Sequence, residues 1–551
     1  VVLSDRDEDS LDVQVERLAG AGAPVSGEVC DVTDPDAVAA AKYASHSATE
    51  TNELGKKTTY HFSYYNKTNP TKIEGQASTS CVAANQSYRY DFNPGLRSAK
   101  IDWSGNKTSF EYNERGLLTA RIEAEGTPQE RRFETVWHDT KPWELQKSFA
   151  GRTRQFTNND DGKVTSITQG NRITQYTYNS QGQVSQVDGP RTDVNDVTSF
   201  EYDVAGNLVS RTNALGHVVH YQDYNLYNQP TRLVDVNGTA TLLQYDGRGR
   251  LTKTTRKSRD GDVITAFSLN AVGLITKVTP QNGSALSFEY DGARRLTAIS
   301  NDLGERIEYS VDAMGNITEQ RILSGSGSLA FSHVSLFDEL GRLIKDVSTN
   351  QQVNVYEYDP SGNNTAFTDG NGNTTQFAFD PLNRLISSTD ANNQAASYTY
   401  TDQGNLKNAT DQRGLVTQYE YDQFNQVVKL TSPDTGVAYF SYDEAGNLKT
   451  KKDARDVITS YDYDAVNRAV TKKYSSDSSL NVDYRYDEQY TATDATHENY
   501  NAGKGRLTRI SDYSGNTSLR YDDRGNLISD SRVIELTGYN TIQTTLYYYG
   551  L

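Results

Sequence analysis

The amino-acid sequence predicts an all-β fold built from many short antiparallel hairpins, and three observations support this. Aromatic-Asp pairs recur at a fixed spacing. Polar and apolar residues alternate just before these pairs, as they do in strands that have one covered face. Only 35% of the residues are hydrophobic, whereas 37 are Tyr, so the composition suits a thin sheet better than a thick apolar core.

The fixed spacing is the strongest of these signals, because a constant period indicates a repeat architecture. Successive members lie 21 residues apart, with Tyr400-Thr401 filling one gap: Phe337-Asp338, Tyr358-Asp359, Phe379-Asp380, Tyr421-Asp422, Tyr442-Asp443 and Tyr463-Asp464. Less regular copies extend the array over most of residues 50 to 551. We expect these aromatic positions to be structural: Tyr202, Tyr245, Tyr290, Tyr358, Phe379, Tyr400, Tyr421, Tyr442, Tyr463 and Tyr521.

Each repeat reads as one hairpin followed by a connection. In Thr417–Leu430, Tyr419 and Tyr421 alternate with polar residues, and an Asp begins a turn. Sister repeats such as Asp359–Gly362 have Gly at the fourth turn position, which fits a type I turn closed by a left-handed residue. A second polar turn, such as Asp369–Gly372, leads to the next repeat. The repeat is therefore two strands and two turns.

A two-stranded hairpin is only marginally stable in water, so neighbouring repeats must join into one sheet. Equivalent tyrosines would then recur at about 9.5 Å, every second strand. Because a long sheet twists and curls, the sequence predicts a spiralling β-shell or solenoid.

The form Y-D-x-x-G-[NR]-L occurs at Tyr202–Leu208, Tyr442–Leu448 and Tyr521–Leu527. It resembles the YD repeat of the RHS (rearrangement hotspot) family, which includes bacterial polymorphic toxins, cocoon subunits of toxin complexes, and teneurins. The resemblance implies a β-cocoon that encloses or presents a C-terminal toxin, in a secreted or cell-surface protein without catalytic activity of its own. The alternative is an extracellular adhesion or carbohydrate-binding module that takes a cell-surface glycan or protein as partner.

One departure from that family concerns the end of the chain. RHS shells typically end in an autoproteolytic segment with the pattern P-x-x-x-x-D-P-x-G-L, and no such pattern occurs here. The chain stops at Leu551, after a run of tyrosines and one Gly. We therefore expect residues 42–551 to be a shell truncated at its C-terminus, with its effector or cargo outside this sequence.

Residues 1–41 lack the repeat and resemble part of a short-chain dehydrogenase. In that resemblance Asp5 would bind the adenosine ribose and Asp31 would lie near the adenine. The preceding strand and Gly-rich turn that hold a pyrophosphate are absent. A Tyr-x-x-x-Lys pair occurs as Tyr500 and Lys504, within a Gly-containing connection. We expect no NAD binding and no catalysis, and interpret residues 1–41 as a partial Rossmann-like fragment at a gene-fusion or assembly junction.

Composition excludes other classes. With 55 Lys and Arg against 72 Asp and Glu, the net charge of -17 disfavours nucleic acid as a partner. Cys30 and Cys81 match no zinc motif and make no disulfide framework. No run of about 18 apolar residues is present, so no membrane span is expected.

Candidate metal ligands are better explained as turns. Asp369–Asn373 and Asn158–Gly162 are rich in oxygen ligands but do not match the calcium-loop pattern. His217 and His220, three apart on a predicted strand, would point to opposite faces. We expect no metal site and no cofactor.

Overall fold

The computed structural model of the chain describes residues 47–62, 70–78, 81–90, 95–259, 261–490, 501–536 and 539–546. The dehydrogenase-like fragment expected over residues 1–41, together with Cys30 and Tyr500, lies outside the described residues. The chain divides into two compact units. The first combines Val1–Gly151 with Arg306–Gly414, and the second combines Arg152–Glu305 with Leu415–Leu551.

Strands account for nearly all regular structure in the described ranges. The first unit begins with β1 (Ser47–Thr51), β2 (Lys57–Phe62), β3 (Pro70–Gly75), β4 (Ala84–Tyr90), β5 (Arg97–Ile101), β6 (Lys107–Tyr112), β7 (Leu118–Glu123), β8 (Arg131–Trp137) and β9 (Glu144–Phe149). The second unit begins with β10 (Arg152–Asn158), β11 (Val164–Gln169), β12 (Arg172–Tyr178), β13 (Val184–Asp188), β14 (Thr198–Tyr202), β15 (Leu208–Thr212), β16 (Val218–Tyr224), β17 (Pro230–Val234), β18 (Ala240–Tyr245), β19 (Leu251–Arg256), β20 (Val263–Leu269), β21 (Ile275–Pro280), β22 (Leu286–Tyr290) and β23 (Leu296–Asn301).

Each unit then receives a second run of strands. The second run of the first unit is β24 (Arg306–Val311), β25 (Ile317–Leu323), β26 (Leu329–Phe337), β27 (Leu343–Ser348), β28 (Val353–Tyr358), β29 (Asn364–Thr368), β30 (Thr374–Phe379), β31 (Leu385–Thr389), β32 (Ala395–Tyr400) and β33 (Leu406–Thr410). The second run of the second unit is β34 (Val416–Tyr421), β35 (Val427–Ser432), β36 (Gly436–Tyr442), β37 (Leu448–Lys452), β38 (Ile458–Tyr463), β39 (Ala469–Tyr474), β40 (Val482–Tyr486), β41 (Gln489–Tyr490), β42 (Asn501–Ala502), β43 (Leu507–Asp512), β44 (Gly515–Tyr521), β45 (Leu527–Leu536) and β46 (Tyr539–Leu546).

Within each run, consecutive strands pair antiparallel, except that β40 pairs with β43 and that β41 and β42 form a separate two-stranded sheet. A short 3-10 helix over Ser478–Leu480 lies between β39 and β40. The all-β hairpin array predicted from the sequence is confirmed.

The Tyr-Asp motif determines where each hairpin turns. In β36–β37, the register shifts between Ser441 and Tyr442, and Tyr442 pairs with Leu448. The N–H of Gly446 donates to the Asp443 carbonyl at 3.1 Å, and Gly446 has φ +92°. This position needs a residue with left-handed backbone conformation. Such a residue after a type I turn directs the chain into the second strand with the twist that the hairpin requires. Asn425 occupies it with φ +66° where sister repeats have Gly.

The sheet has one half-buried face and one exposed face. In β34, Gln418 and Glu420 are exposed, whereas Tyr419 and Tyr421 are half-buried. Apolar side chains that are fully buried are mostly small, such as Ala120 and Ala298. The apolar layer is therefore thin, as the low hydrophobic content predicts.

Candidate functional site

The repeat tyrosines join each hairpin to the one before it. The ladder between β31 and β32 has only three residue pairs, from Ser387↔Ser397 to Thr389↔Ala395. The carbonyl of Leu385 lies beyond this ladder, and the hydroxyl of Tyr400 donates to it at 2.6 Å. A backbone carbonyl left without a partner in a covered layer is costly, so the hydroxyl completes the joint between hairpins.

The same bond recurs at most of the aromatic positions singled out in the sequence. The distances run from 2.6 to 3.1 Å for these hydroxyl-to-carbonyl pairs: Tyr202 to Val184, Tyr245 to Pro230, Tyr290 to Ile275, Tyr358 to Leu343, Tyr400 to Leu385, Tyr442 to Val427, Tyr463 to Leu448 and Tyr521 to Leu507. Tyr421 ends β34 in the equivalent place, opposite Val427. Phe379 has the same register position but no hydroxyl. Burial raises the pKa of Tyr442, which keeps its hydroxyl protonated as a donor.

The Asp of each motif holds the hairpin turn. Asp380 Oδ1 accepts from the N–H groups of Leu382 and Arg384 at 2.9 and 3.0 Å, and its Oδ2 accepts from Arg384 Nε at 2.7 Å. The guanidinium of Arg384 then lies 4.5 Å from the ring centroid of Tyr400 in the next hairpin. The fifth residue of the turn thus links its own Asp to the next tyrosine through an ion pair and a cation-π contact. The same pairing with Arg250 lowers the pKa of Asp246 to about 2.

Within the second unit, the two runs of hairpins meet along their turns. We call the Y-D-x-x-G turns the YD turns and the turns between hairpins the connecting turns. Arg191, in a connecting turn of the first run, has a side chain only 2% exposed. Its Nη1 donates to the carbonyl of Asp464 at 2.5 Å, in a YD turn of the second run. Asp193 binds the rest of the guanidinium at 2.8 and 3.0 Å.

Other connecting turns of the second unit repeat this contact. Arg152 donates to the carbonyl of Asp422 at 3.1 Å, and Arg172 donates to the carbonyl of Asp443 at 3.3 Å. Arg172 also lies 3.5 Å from the ring centroid of Phe424. Basic side chains of one run therefore bind main-chain carbonyls of the other, as charge-assisted hydrogen bonds.

The end of the second run is held by a buried carboxylate. Asp523, 6% exposed, accepts from the Ser258 hydroxyl at 2.8 Å and from the Arg259 N–H at 2.6 Å. Its carbonyl accepts from Thr239 and Arg256 at 3.2 and 3.0 Å. Four donors from two neighbouring connecting turns thus converge on one residue.

The first unit has the same arrangement with different residues. Asn52 donates to the carbonyl of Glu339 at 2.6 Å, the hydroxyls of Ser104 and Ser361 lie 2.6 Å apart, and Gln403 donates to the carbonyl of Ala150 at 3.0 Å. In both units, connecting turns of the first run contact YD turns of the second. Neither these contacts nor the tyrosine bonds were predicted from the sequence. The Arg that opens β10 and the Arg that opens β12 are the sequence signal for part of the pattern.

Several groups weighed as metal ligands take part in turns. Asp369 Oδ1 accepts from the N–H groups of Asn371 and Asn373, both at 2.9 Å. His217 is not on a strand as predicted: it lies in the turn before β16, buried, with Nε2 3.5 Å from Asp487 Oδ2. Burial lowers the pKa of His217. The described residues contain no cluster of three His, Cys, Asp or Glu suited to a metal ion.

No helix in the described part of the chain has the length and hydropathy needed to cross a membrane.

Comparison with known proteins places the chain among YD-repeat proteins. The sequence profile of the Teneurin YD-shell matches residues 146–309 and 298–535, which together are more than half of the chain. The "Probable deoxyribonuclease RhsB" of Dickeya dadantii (strain 3937) is 24% identical over 254 residues. That match covers 45% of this chain and 15% of the relative, so the chain spans a small part of its length.

Solved structures share the fold. A crystal structure of TcdB2-TccC3 without its hypervariable C-terminal region matches with a TM-score of 0.51 at 12% identity, over 91% of this chain and 31% of the other. The Photorhabdus luminescens Tc holotoxin pore matches with a TM-score of 0.50, also at 12% identity and over the same shares. At this identity, the likeness establishes the fold alone.

Proposed function

Because the chain belongs to the Teneurin YD-shell family, we propose that it is the non-catalytic structural shell of an RHS-type polymorphic toxin. In this function it encloses or presents an effector region located C-terminal to the shell. The full proposal includes delivery to the cell surface or the medium, since such a toxin must reach another cell.

The observation that carries this proposal is the contact between runs of hairpins. A single row of hairpins is a narrow ribbon whose turns are exposed along both edges. In each unit, connecting turns of the first row bind YD turns of the second, as Arg191 does with Asp464 and Asn52 with Glu339. Two rows held side by side make a wall, and a wall is what a shell requires.

The chemistry of the polar groups supports a non-catalytic role. The buried carboxylates Asp338, Asp380 and Asp523 all accept hydrogen bonds from turn N–H groups or neighbouring side chains. Their charge therefore stabilises turns and leaves little capacity for proton transfer. The deoxyribonuclease named in the RhsB relative describes that whole protein, of which this chain spans 15%.

The proposal is tested by protease protection. The complete reading frame is expressed with and without residues 42–551, and survival of the region C-terminal to Leu551 is followed during digestion. We expect several-fold longer survival when the repeats are present. Equal digestion in both proteins, or a reading frame that ends at Leu551, would refute enclosure.

The alternative is an extracellular adhesion or carbohydrate-binding module. It is retained because the first unit contains a cavity lined by aromatic and polar side chains. Equal digestion in the protection experiment would favour it.

A further inference from the structure

One place in the first unit departs from the repeat in three ways at once. The connection between β7 and β8 spans residues 124–130, whereas β9 and β10 are separated only by Ala150 and Gly151. The YD turn that faces it has Thr401 where sister turns have Asp. Arg131 begins β8 as Arg152 begins β10. Arg152 binds Asp422, 270 residues later, and the same separation would pair Arg131 with Thr401.

Arg131 is not used as its sister arginines are. Its Nη2 binds Glu123 Oε2 at 2.5 Å, within its own hairpin row. Its Nε is buried and without a hydrogen-bond partner among the described residues, a feature that it shares with Arg97, Arg172, Arg256 and Arg509. What sets Arg131 apart is therefore its bond to Glu123 in place of a carbonyl of the second run.

A cavity of about 210 Å³ lies at this place, and Arg131 lines it. Its other lining residues include Gln129, Glu130, Tyr398 and Asp402. Pockets for drug-sized ligands are typically about 300–1,000 Å³. The cavity therefore suits a ligand of about one ring.

The charges at the cavity disfavour an anionic ligand. Glu130 and Asp402 contribute exposed carboxylates, and Arg131 is paired with Glu123, a carboxylate that Arg121 also binds. The lining still offers both acceptors, on the Glu130 and Asp402 carboxylates, and donors, on the Gln129 side-chain amide. A neutral ligand rich in hydroxyl groups meets both, because each hydroxyl donates and accepts.

The tyrosines add an apolar surface. Tyr400 is engaged already, since Arg384 covers its ring at 4.5 Å and its hydroxyl binds Leu385. Tyr398, two residues earlier on the same face of β32, is half-buried and lines the cavity. An aromatic ring beside hydroxyl-binding groups matches a pyranose, whose ring face is apolar and whose edge carries hydroxyls.

We propose that this cavity is a binding site for a neutral monosaccharide unit. Tyr398 contacts the sugar ring, the Gln129 side-chain amide donates to one hydroxyl oxygen, and Asp402 accepts from another hydroxyl. This site does not depend on the shell function. Protection of an effector without sugar binding would support only the shell, and sugar binding without protection would support only the site.

The test measures binding of methyl glucopyranoside, methyl galactopyranoside and N-acetylglucosamine to the full chain by saturation-transfer NMR and calorimetry. At about 10 mM, even a millimolar site is filled. We expect at least one sugar to bind saturably and inorganic phosphate not to compete. Asp402→Asn and Tyr398→Leu should each weaken binding about tenfold, the effect of losing one good contact.

Matched controls exist in sister repeats. Glu444→Gln changes the same turn position as Asp402, and Tyr419→Leu changes the strand position equivalent to Tyr398. Both controls should bind as the unchanged chain does, and circular dichroism should show the strand content of all four variants intact. Absence of saturable binding by all three sugars, or equal binding by site and control variants, would overturn the proposal.

Discussion

The hydroxyl of Tyr442 donates a 2.9 Å hydrogen bond to the carbonyl of Val427, fifteen residues earlier and in the preceding hairpin. This bond lies beyond the end of the β35–β36 ladder, whose pairs run from Lys429↔Tyr439 to Ser432↔Gly436. It therefore joins two repeats at a point where their backbones no longer pair with each other.

Tyr442→Phe should loosen this joint. The substitution keeps the ring and leaves the Val427 carbonyl without its donor, so we expect a cost of about 0.5–1.5 kcal/mol. Hydrogen exchange of peptides covering β35 and β36 should speed up about two- to tenfold. Tyr419→Phe is the control, because no carbonyl bond of this kind is present at that position in the described structure, and an equal effect there would contradict the account.

Acid should weaken the YD turns. The ion pair with Arg250 lowers the pKa of Asp246 from 3.8 to about 2. A carboxyl group whose pKa is lower in the folded than in the unfolded state stabilises the fold at pH values above its unfolded-state pKa. This stabilisation is lost as the pH falls through the folded-state pKa. Asp246→Asn should therefore melt below the unchanged chain at about pH 6, and the gap should close between pH 3.8 and about 2. A gap that does not change with pH would contradict this explanation.

Arg191→Met should destabilise the contact between the runs of the second unit. It removes the buried charge-assisted bond to the Asp464 carbonyl, worth about 1.5–3 kcal/mol. Denaturant unfolding and limited proteolysis of the turn after Asp464 should both report the loss. The control Arg232→Met removes an exposed guanidinium on a sheet face. If both variants unfold alike, Arg191 does not join the runs.

Asp523→Asn should release the end of the second run. Both carboxylate oxygens accept hydrogen bonds, from Ser258 and Arg259, whereas an amide has only one accepting oxygen and would place its NH₂ group against a donor. We expect a loss of about 1–3 kcal/mol and faster cleavage near residues 257–262. Asp161→Asn, an exposed YD-turn residue of the same unit, should have little effect, and an Asp523 variant as resistant as this control would refute the predicted role.

The hairpin unit could be predicted from the sequence because its signals are local. The alternation at Tyr419 and Tyr421, and the turn from Asp443 to Gly446, lie within a few residues of one another. The hydrogen bonds of the tyrosine hydroxyls could not be predicted in this way, because they depend on the length of the strand ladder between neighbouring hairpins. The partner of Tyr400 is fixed only once β31 and β32 are paired in register.

Contacts between runs were beyond sequence reasoning for a different reason. Arg152 and Asp422 are separated by 270 residues, and the spacing that relates the two runs becomes visible only after such a contact is known. The prediction that His217 lies on a strand is wrong, because Asn213 begins a turn that holds His217 beside Asp487. The cavity likewise needs residues 124–130 and Thr401 to face each other, which only the assembled unit reveals.

Electron cryomicroscopy of the complete gene product tests most directly whether residues 42–551 form a wall around an effector. We expect strands of residues 42–551 to surround density that belongs to residues beyond Leu551. Density for that region lying outside the strands, in contact with solvent on all sides, would contradict it.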